Sequence, residues 1–212
     1  GVKNSKGELI VFIDSDCEAD SNWLENIYDA YKKNKFDAFG GPDEARGNFL
    51  PIQIAINFSM TSFLTTGGIR GHNKNMISKF FPRSHNMGVK KKLFEKIGGF
   101  GHLRHGQDIE LSNRIINENA VVILLKNAVV YHRRRTTLLK FFRQVFNWGV
   151  ARVNLGKIDS KMLQIVHFLP SIGFLISIIS LICSFFFPFI FIPILVILSS
   201  SLLILCAFGG LK

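Results

Sequence analysis

The stretch Glu8-Leu-Ile-Val-Phe-Ile-Asp-Ser-Asp-Cys17 decides which fold the sequence predicts. Its five consecutive apolar residues, Leu9 to Ile13, are typical of a strand buried on both faces of a sheet. The apolar run ends at Asp14 and Asp16, two carboxylates one residue apart. Ligands of open α/β sheets bind at the carboxyl ends of the strands, and this pair lies at such an end.

The paired carboxylates favour a divalent cation. Two like charges some 4 Å apart repel by roughly 4 kcal/mol at an effective dielectric near 20, and a cation that bridges them to a phosphate relieves the repulsion. Hard oxygen ligands of this kind suit Mg²⁺ or Mn²⁺. A solvated turn is the alternative, because Asp and Ser are also common turn residues. The pair alone does not decide between the two.

Composition divides the 212-residue chain into two parts. Up to about Lys161 the sequence is that of a soluble, basic domain, whereas Met162 to Leu211 contains no Lys, Arg, Asp or Glu. A helix crosses a bilayer in about 20 residues. The apolar part therefore predicts two transmembrane helices, at about 163–187 and 189–208, with Pro188 in the turn between them.

The formal charge of +11 is concentrated before the apolar part. Basic residues that flank a first transmembrane helix favour the cytoplasmic side, and they attract anionic lipid head groups. The pattern predicts a multi-pass membrane protein with a cytoplasmic domain. Nucleic acid is the other partner of basic chains, but the charge adjoins a membrane span and no nucleic-acid motif is present. The basic residues concerned are Lys126, Arg133, Arg134, Arg135, Lys140, Arg143, Arg152, Lys157 and Lys161.

The cysteines fit a reducing compartment. Cys17, Cys183 and Cys206 are too few and too scattered for a disulfide framework or a metal cluster.

The residues after the acidic pair predict a helix and a second strand. Ser21 or Asn22 can cap a helix that runs to about Asn34, and Asn22 with Glu25 has the form of a capping box. A short apolar run from Phe36 to Gly41 follows. Strand, helix and strand at this spacing favour a right-handed crossover within a parallel sheet.

A second helical segment is predicted at 49–66, with alternatives for its role. It is apolar with polar residues between, so it could pack against the sheet, line an acceptor site or lie on the membrane surface. Packing against the sheet is the preferred interpretation.

The segment Asn86-Met-Gly-Val-Lys-Lys-Lys-Leu-Phe-Glu-Lys-Ile-Gly-Gly-Phe100 contains a helix by its apolar spacing, and Gly98-Gly99 ends that helix. Lys90, Lys91 and Lys92 could contact diphosphate oxygens. A solvated helix face is the commoner explanation of such a lysine run.

The segment Gly106-Gln-Asp-Ile-Glu-Leu-Ser-Asn-Arg114 predicts another helix. Asp108 lies in its first turn, where the macrodipole favours a negative charge, so a helix cap is the plainer reading of this residue. Leu111 and Ile115 form a buried stripe, and Glu110 can pair with Arg114. Short strands are expected at 121–125 and 129–132.

The segment Leu138 to Val153 has an apolar, aromatic face between basic residues. Such a helix suits the membrane interface. An ordinary amphipathic helix packed on the domain explains the pattern equally well.

The order of these segments resembles the family 2 glycosyltransferases of the GT-A fold. The resemblance covers about residues 1–155 and rests on the D-x-D strand, the 86–100 segment, G-x-D-x-E-L-x-x-R at 106–114 and Tyr131-His-Arg133. It is strongest toward membrane-anchored enzymes that build bacterial exopolysaccharides, the succinoglycan-type transferases among them. It implies an α/β GT-A domain over 1–135, a helix and basic linker over 136–161, and membrane helices over 162–212.

The resemblance also implies roles for individual residues. Asp14 and Asp16 match the D-x-D that holds Mg²⁺ or Mn²⁺ against the diphosphate of a nucleotide-sugar, and His132 matches a histidine that completes this metal site. A lone histidine after a strand is otherwise more often a packing residue. Asp108 matches the general base of inverting members. Lys90 or Arg133 could assist at the diphosphate, but nothing in the spacing decides between them.

Two departures from the family pattern limit the expected function. Asn147 stands where processive relatives carry arginine in Q-x-x-R-W, so processive polymerisation is not expected. Gln107 stands where an acidic residue usually precedes the base.

The resemblance implies inverting transfer of a sugar to a glycan or lipid-linked acceptor at the cytoplasmic membrane face. It also implies an N-terminally truncated fragment that lacks the nucleotide-selecting part of the domain. A catalytically inactive membrane anchor or assembly subunit is the alternative function, and a membrane-bound nucleic-acid binder is a remote third.

Overall fold

The computed structural model describes residues 1–46, 49–62 and 80–210. The chain divides into two compact units, Gly1–Ala151 and Arg152–Lys212. The strands of the first unit are β1 (Leu9–Ile13), β2 (Cys17–Ala19), β3 (Ala38–Gly40), β4 (Asp43–Glu44), β5 (Asn86–Lys90), β6 (Val122–Leu124) and β7 (Val130–His132). Its helices are α1 (Trp23–Lys33), α2 (Pro51–Thr61), α3 (Lys91–Lys96), α4 (Gln107–Asn117) and α5 (Leu138–Ile158), the last of which continues into the second unit.

The main sheet is mixed, which corrects the prediction of a parallel sheet. Its strand order is β1-β5-β3-β6, with β5 antiparallel to both β1 and β3, and with β3 parallel to β6. β1 and β3 therefore run in the same direction, but β5 lies between them. The strand at β5 was not predicted, because its sequence Asn-Met-Gly-Val-Lys has only two apolar side chains.

β1 has the predicted bounds, but it is not buried on both faces. Ile10 is buried, whereas Ile13 is 41% exposed. In the part of the chain that the structure describes, β1 is one of the two outer strands of the sheet and pairs only with β5. An outer strand is covered less completely than a central one.

Two apolar clusters cover the two faces of the main sheet. Successive strand residues point to opposite faces, so Phe39 packs with Trp23 and Ile27 of α1 while its neighbour Ala38 packs on the other side. That other cluster includes Leu111 and Ile115 of α4, which confirms the predicted buried stripe. The sheet is thus fixed between α1 on one face and α3 and α4 on the other.

The helix ends agree with the sequence signals in part. α1 begins after Asn22 as predicted, but the Asn22 side chain makes no capping hydrogen bond, and the Asn22 N–H donates to Asp20 Oδ1 at 3.1 Å. The predicted capping box is therefore wrong. The predicted glycine stop is confirmed, because Gly98 and Gly99 have φ of 79° and 69°, where glycine is favoured.

The predicted pair between Glu110 and Arg114 is also confirmed. Arg114 donates from Nε at 2.6 Å and from Nη2 at 2.7 Å to the two oxygens of Glu110. The same guanidinium donates to the carbonyl oxygens of Ile97 and Gly99, so it ties α4 to the loop after α3.

α2 lies within the first unit, and packing of residues 49–66 against the sheet, the preferred interpretation, stays a prediction. Ile56 and Met60 are buried, and Gln53 Nε2 donates to the Arg134 carbonyl oxygen at 2.7 Å. The end of the predicted segment, residues 63–66, lies outside the described residues.

The second unit contains two apolar helices, α6 (Leu169–Cys183) and α7 (Pro188–Gly210). One helical stretch, Ile165–Cys183, is long and apolar enough to cross a membrane, and the apolar stretch in α7, Pro188–Ile204, is shorter. The prediction of two transmembrane helices is therefore not confirmed. Pro188 begins α7 instead of lying in the turn, which suits a residue whose missing N–H has no partner at a helix start.

Candidate functional site

Sheet pairing brings the acidic pair next to His132. The chain turns from β1 into β2 through Asp14 and Asp16, and the Cys17 N–H closes this turn on the Asp14 carbonyl oxygen at 3.0 Å. β2 then pairs antiparallel with β7, with Cys17 opposite His132. Two segments more than a hundred residues apart in sequence are therefore in register at this position.

Four of the residues singled out in the sequence line one cleft of about 210 Å³: Asp14, Asp16, Asp108 and His132. The His132 Nε2 atom lies 3.4 Å from Asp16 Oδ1. Asp14 Oδ1 accepts a hydrogen bond of 3.4 Å from Ser84 Oγ. These four residues thus bring three carboxylates and an imidazole into the cleft.

Asp108 is both a helix-end residue and a member of the cleft. Its Oδ1 accepts from the Ile109 N–H at 2.9 Å, and its Oδ2 lies 3.5 Å from Arg83 Nη1. Gly106 before it has φ of 84°, which lets the chain enter α4 sharply. Asp108 therefore accepts a hydrogen bond from the first turn of α4 with Oδ1, while its Oδ2 is close to Arg83, which lines the cleft. Arg83 was not singled out from the sequence.

Lys90 lies away from this cleft. Lys90 pairs with Leu9 across the sheet, whereas Asn86 at the other end of β5 pairs with Ile13 beside the acidic pair. The Lys90 ammonium contacts Asp37 Oδ1 at 2.9 Å, and this hydrogen bond is the main cause that raises the pKa of Lys90 and lowers that of Asp37. Lys90 therefore ties strands together at the opposite end of the sheet.

The three consecutive arginines 133–135 face different surroundings. Arg133 is exposed and meets the acidic pair only through its backbone N–H, which donates to the Asp16 carbonyl oxygen at 3.2 Å. Arg134 is buried. Arg135 lines the cleft. Of these three arginines, the one that faces the cleft is thus Arg135, two residues from the Arg133 that the sequence suggested.

A buried carboxylate behind His132 escaped the sequence analysis. Asp43 is 3% exposed, and its Oδ2 lies 2.6 Å from Arg134 Nη1, 3.5 Å from His132 Nδ1 and 3.9 Å from His85 Nε2. The His85 and His132 rings are 5.3 Å apart. β4 pairs with β7, which places Asp43 beside this strand. No sequence signal marks Asp43 except its position directly after Gly-Gly-Pro.

Close packing leaves no room for a side chain at Gly41, two residues before Asp43. A Cβ on Gly41 would overlap the Ala128 carbonyl oxygen and the Asn86 side chain. Asn86 is fully buried and accepts from Trp23 Nε1 at 3.0 Å, while its amide donates to the carbonyl oxygens of Pro42 at 2.9 Å and Ala128 at 2.7 Å. These bonds fix the loop before β4 against α1 and β5.

The electrostatics of the cleft show crowding of negative charge. Burial, followed by the charge of Asp16, raises the pKa of the Asp14 carboxyl above its ordinary value. Burial together with Asp16 and Asp14 also raises the pKa of the Cys17 thiol to about 12, so Cys17 remains protonated at neutral pH. A cation would stabilise the ionised carboxylates here.

The donor atoms fit a divalent cation. A carboxylate oxygen of Asp16, Cys17 Sγ and a ring nitrogen of His132 lie within 4.8 Å of one another. Asp14 is outside this closest group, although it lines the same cleft. Because the Cys17 thiol is protonated and hard cations prefer oxygen, Asp16 and His132 with Asp14 form the better set.

His132 carries a second feature that fits a ligand role. Among the described residues, its buried Nδ1 atom has no hydrogen-bond partner, although Asp43 Oδ2 is 3.5 Å away. In metal-binding histidines, a carboxylate beside the ring nitrogen that does not bind the metal orients the imidazole.

Part of the chain is similar in sequence to known proteins. Residues 1–98 match the family model of Glycosyl transferase family 2. Glycosyltransferase AglE of Haloferax volcanii is 25% identical over 179 residues, which are 80% of this chain and 57% of the relative. The chain therefore spans a little over half the length of this curated relative. The comparisons support a glycosyltransferase family 2 domain, and the mixed α/β sheets fit a GT-A fold.

Proposed function

We propose that this protein transfers a sugar from a nucleotide-diphosphate sugar to a glycan or lipid-linked acceptor, with inversion at the anomeric carbon. The observation that carries the proposal is the shared cleft of Asp14, Asp16, Asp108 and His132. The first two lie within the part of the chain that matches a glycosyltransferase family model, and the other two are brought to them by the fold.

Asp14, Asp16 and His132 would hold Mg²⁺ or Mn²⁺ in this cleft. When bound, the cation supplies positive charge for the diphosphate leaving group, a contribution of several kcal/mol. Arg135 and Arg83 line the same cleft and add fixed positive charge beside the carboxylates. Neither Lys90 nor Arg133 has a part in this assignment, because their side chains do not line the cleft.

Asp108 is the proposed general base. It would accept the proton of the acceptor hydroxyl as that oxygen attacks the anomeric carbon from the face opposite the diphosphate. A positioned base typically contributes 10² to 10⁴ in rate. Arg83 Nη1 lies 3.5 Å from Asp108 Oδ2, which places a fixed positive charge beside this carboxylate.

We further propose a membrane-associated site of action at the cytoplasmic face, in exopolysaccharide or other cell-surface glycan synthesis. The support is the apolar stretch Ile165–Cys183 and the basic residues before it.

Substitution of Asp108 in the full-length protein tests the assignment. We expect Asp108→Asn to lower sugar transfer about 10² to 10⁴-fold while Mn²⁺-dependent nucleotide binding persists. Asp16→Asn should weaken that nucleotide binding itself. Glu118→Gln is the matched control, because it removes a carboxylate from the end of the same helix in an exposed pair with Lys96.

Donor preference and activity are measured together with a panel of nucleotide-sugars and Mn²⁺. Near-normal turnover of Asp108→Asn would remove this residue from the role of base. Absence of any metal-dependent nucleotide binding by the unsubstituted protein would instead favour the inactive anchor.

A further inference from the structure

A second cleft of about 330 Å³ adjoins the first and has the opposite charge. The two share Arg135, Gln144 and Trp148. Its described lining contains no carboxylate, whereas four aspartates line the first cleft. The residues that line the second cleft are His105, Arg135, Lys140, Arg143, Gln144, Asn147 and Trp148.

One face of α5 provides most of this lining. The lining residues of α5 follow one another at three- and four-residue intervals, which places them on the same side of the helix. They are Lys140, Arg143, Gln144, Asn147 and Trp148. Phe142 and Phe146 lie between them in sequence and are 67% and 63% exposed. α5 therefore has a cationic face on the cleft and an aromatic face in contact with solvent.

In the part of the chain that the structure describes, no carboxylate neutralises the cations of the second cleft. Among the described residues, the side chains of Arg135, Lys140 and Arg143 take part in no ion pair, and all three are exposed. Arg134, one residue from Arg135, shows the contrast, because its guanidinium is buried against Asp43. Unpaired guanidinium groups gathered in a concave surface are the usual means of binding phosphate.

We propose that the second cleft binds a phosphate or diphosphate group carried by the acceptor. This proposal rests on the proposed function, since it concerns the second substrate of the same site. The carboxylate cleft would hold the cation and, through that cation, the donor diphosphate, whereas its carboxylates repel a further anion. An anionic acceptor bound by Arg135, Lys140 and Arg143 would keep its phosphate away from those carboxylates and extend its sugar hydroxyl toward Asp108.

The phosphate could belong to a lipid or to a soluble glycan phosphate, and the recognition chemistry is the same. The aromatic face of α5 favours the lipid source. A helix with exposed phenylalanines on one face and cations on the other binds at the boundary of acyl chains and head groups. A phosphate carried by a lipid would reach the cleft at this boundary between acyl chains and head groups.

The test measures binding of octyl diphosphate and of inorganic pyrophosphate to the full-length protein in neutral detergent without metal. The variant is the double substitution Lys140→Gln and Arg143→Gln. The control is Lys35→Gln with Lys126→Gln, which removes two exposed positive charges outside the cleft. We expect the double variant to weaken octyl diphosphate binding at least tenfold, since each charge-assisted hydrogen bond accounts for about that factor. The control should change it less than twofold.

Binding of UDP and of GDP in the presence of Mn²⁺ provides the donor-side measurement, which should change less than twofold in the double variant. An equal loss of nucleotide binding would overturn the proposal, because the cations would then belong to the donor diphosphate. Unchanged octyl diphosphate binding would overturn it as well. Tighter binding of octyl diphosphate than of pyrophosphate supports a lipid-borne acceptor, and equal binding supports a soluble one. If neither nucleotide binds the unsubstituted protein, the proposed function fails while the octyl diphosphate result still decides this proposal.

Discussion

Asp43 is the residue whose side chain connects the candidate site to the interior. Its carboxylate faces the buried Arg134 guanidinium at 2.6 Å and His132 Nδ1 at 3.5 Å. Arg134 is held further by Asn57, whose Oδ1 accepts from Arg134 Nε at 2.9 Å. A charged pair buried this deeply is costly to break from one side only, because the remaining charge has no solvent to stabilise it.

We expect Asp43→Asn to lower the free energy of unfolding by about 3–5 kcal/mol, since it leaves the Arg134 charge buried and uncompensated. The double variant Asp43→Asn with Arg134→Met should recover most of this loss because it removes both charges. Thermal and denaturant unfolding of the single and double variants measures the coupling.

Glu18→Gln is the control for a surface pair. Glu18 and Arg46 lie 3.0 Å apart, and both side chains are exposed. Loss of this ion pair should change the free energy of unfolding by less than about 1 kcal/mol. Additive losses in the Asp43 and Arg134 variants would contradict the coupling described here.

Single residues at the site differ in how readily the sequence predicts them. Asp14, Asp16, Asp108 and His132 are brought into one cleft, and each stands out as a polar residue at the end of an apolar run or the start of a helix. Asp43 and Arg135 lack such a signal. Their environment depends on which strand pairs with β7 and on which of three adjacent arginines lines the cleft, and both are decided by tertiary contacts.

At the level of elements, the placement of β5 is the feature that the sequence predicts least well. β5 enters between β1 and β3, and its first four residues are buried although only Met87 and Val89 among them have apolar side chains. The lysine that ends it is consequently a sheet residue. Local periodicity predicted the neighbouring helices and the glycine stop, because these depend on contacts within a few residues.

Asp37 links three strands at the end of the sheet remote from the cleft. It accepts from Lys90 at the end of β5 and, through Oδ2, from the Val121 N–H before β6 at 2.9 Å. The hydrogen bond from Lys90, followed by that from Val121, lowers the pKa of the Asp37 carboxyl below its ordinary 3.8. Asp37 Oδ1 in turn raises the pKa of Lys90 above 10.5.

Asp37→Asn should therefore destabilise the protein by about 1 kcal/mol at neutral pH, a small value because solvent screens this partly exposed pair. A lowered carboxyl pKa stabilises the fold above about pH 4, and this contribution is lost as pH falls through the lowered value. The raised lysine pKa stabilises the fold below about pH 10 and loses this effect as pH rises further. The difference in the free energy of unfolding between Asp37→Asn and the unsubstituted protein should be constant between about pH 4 and about pH 10.

Thermal unfolding across this pH range measures the effect. Asp29→Asn on α1 is the matched control, because it removes the same charge from an exposed position. A stability difference for Asp37→Asn that persists unchanged well below pH 3 would show that the carboxylate charge is not its source.

At the scale of the whole molecule, the two units differ in the solvent that their surfaces suit. In the first unit, the sheet is covered on both faces by apolar side chains that solvent does not reach. In the second, Ile165–Cys183 exposes most of its apolar side chains, with only 6% of the stretch buried. Exposure of this extent would be unfavourable in water, so we expect a bilayer to cover it.

Leu175 lies near the middle of Ile165–Cys183 and is 56% exposed. Leu175→Arg should disfavour membrane insertion by about 2.5–3.5 kcal/mol, the cost of an arginine at the centre of a spanning helix. Leu24→Arg on α1 is the matched control, since Leu24 is 66% exposed in the first unit and an arginine there remains in water. Alkaline carbonate extraction of membranes, followed by separation of pellet and supernatant, measures both variants. The unsubstituted protein and Leu24→Arg should remain in the pellet, whereas Leu175→Arg should be largely extracted or degraded. Equal retention of the two variants in the pellet would mean that membrane attachment does not depend on this helix, and the shorter apolar stretch Pro188–Ile204 would then have to account for it.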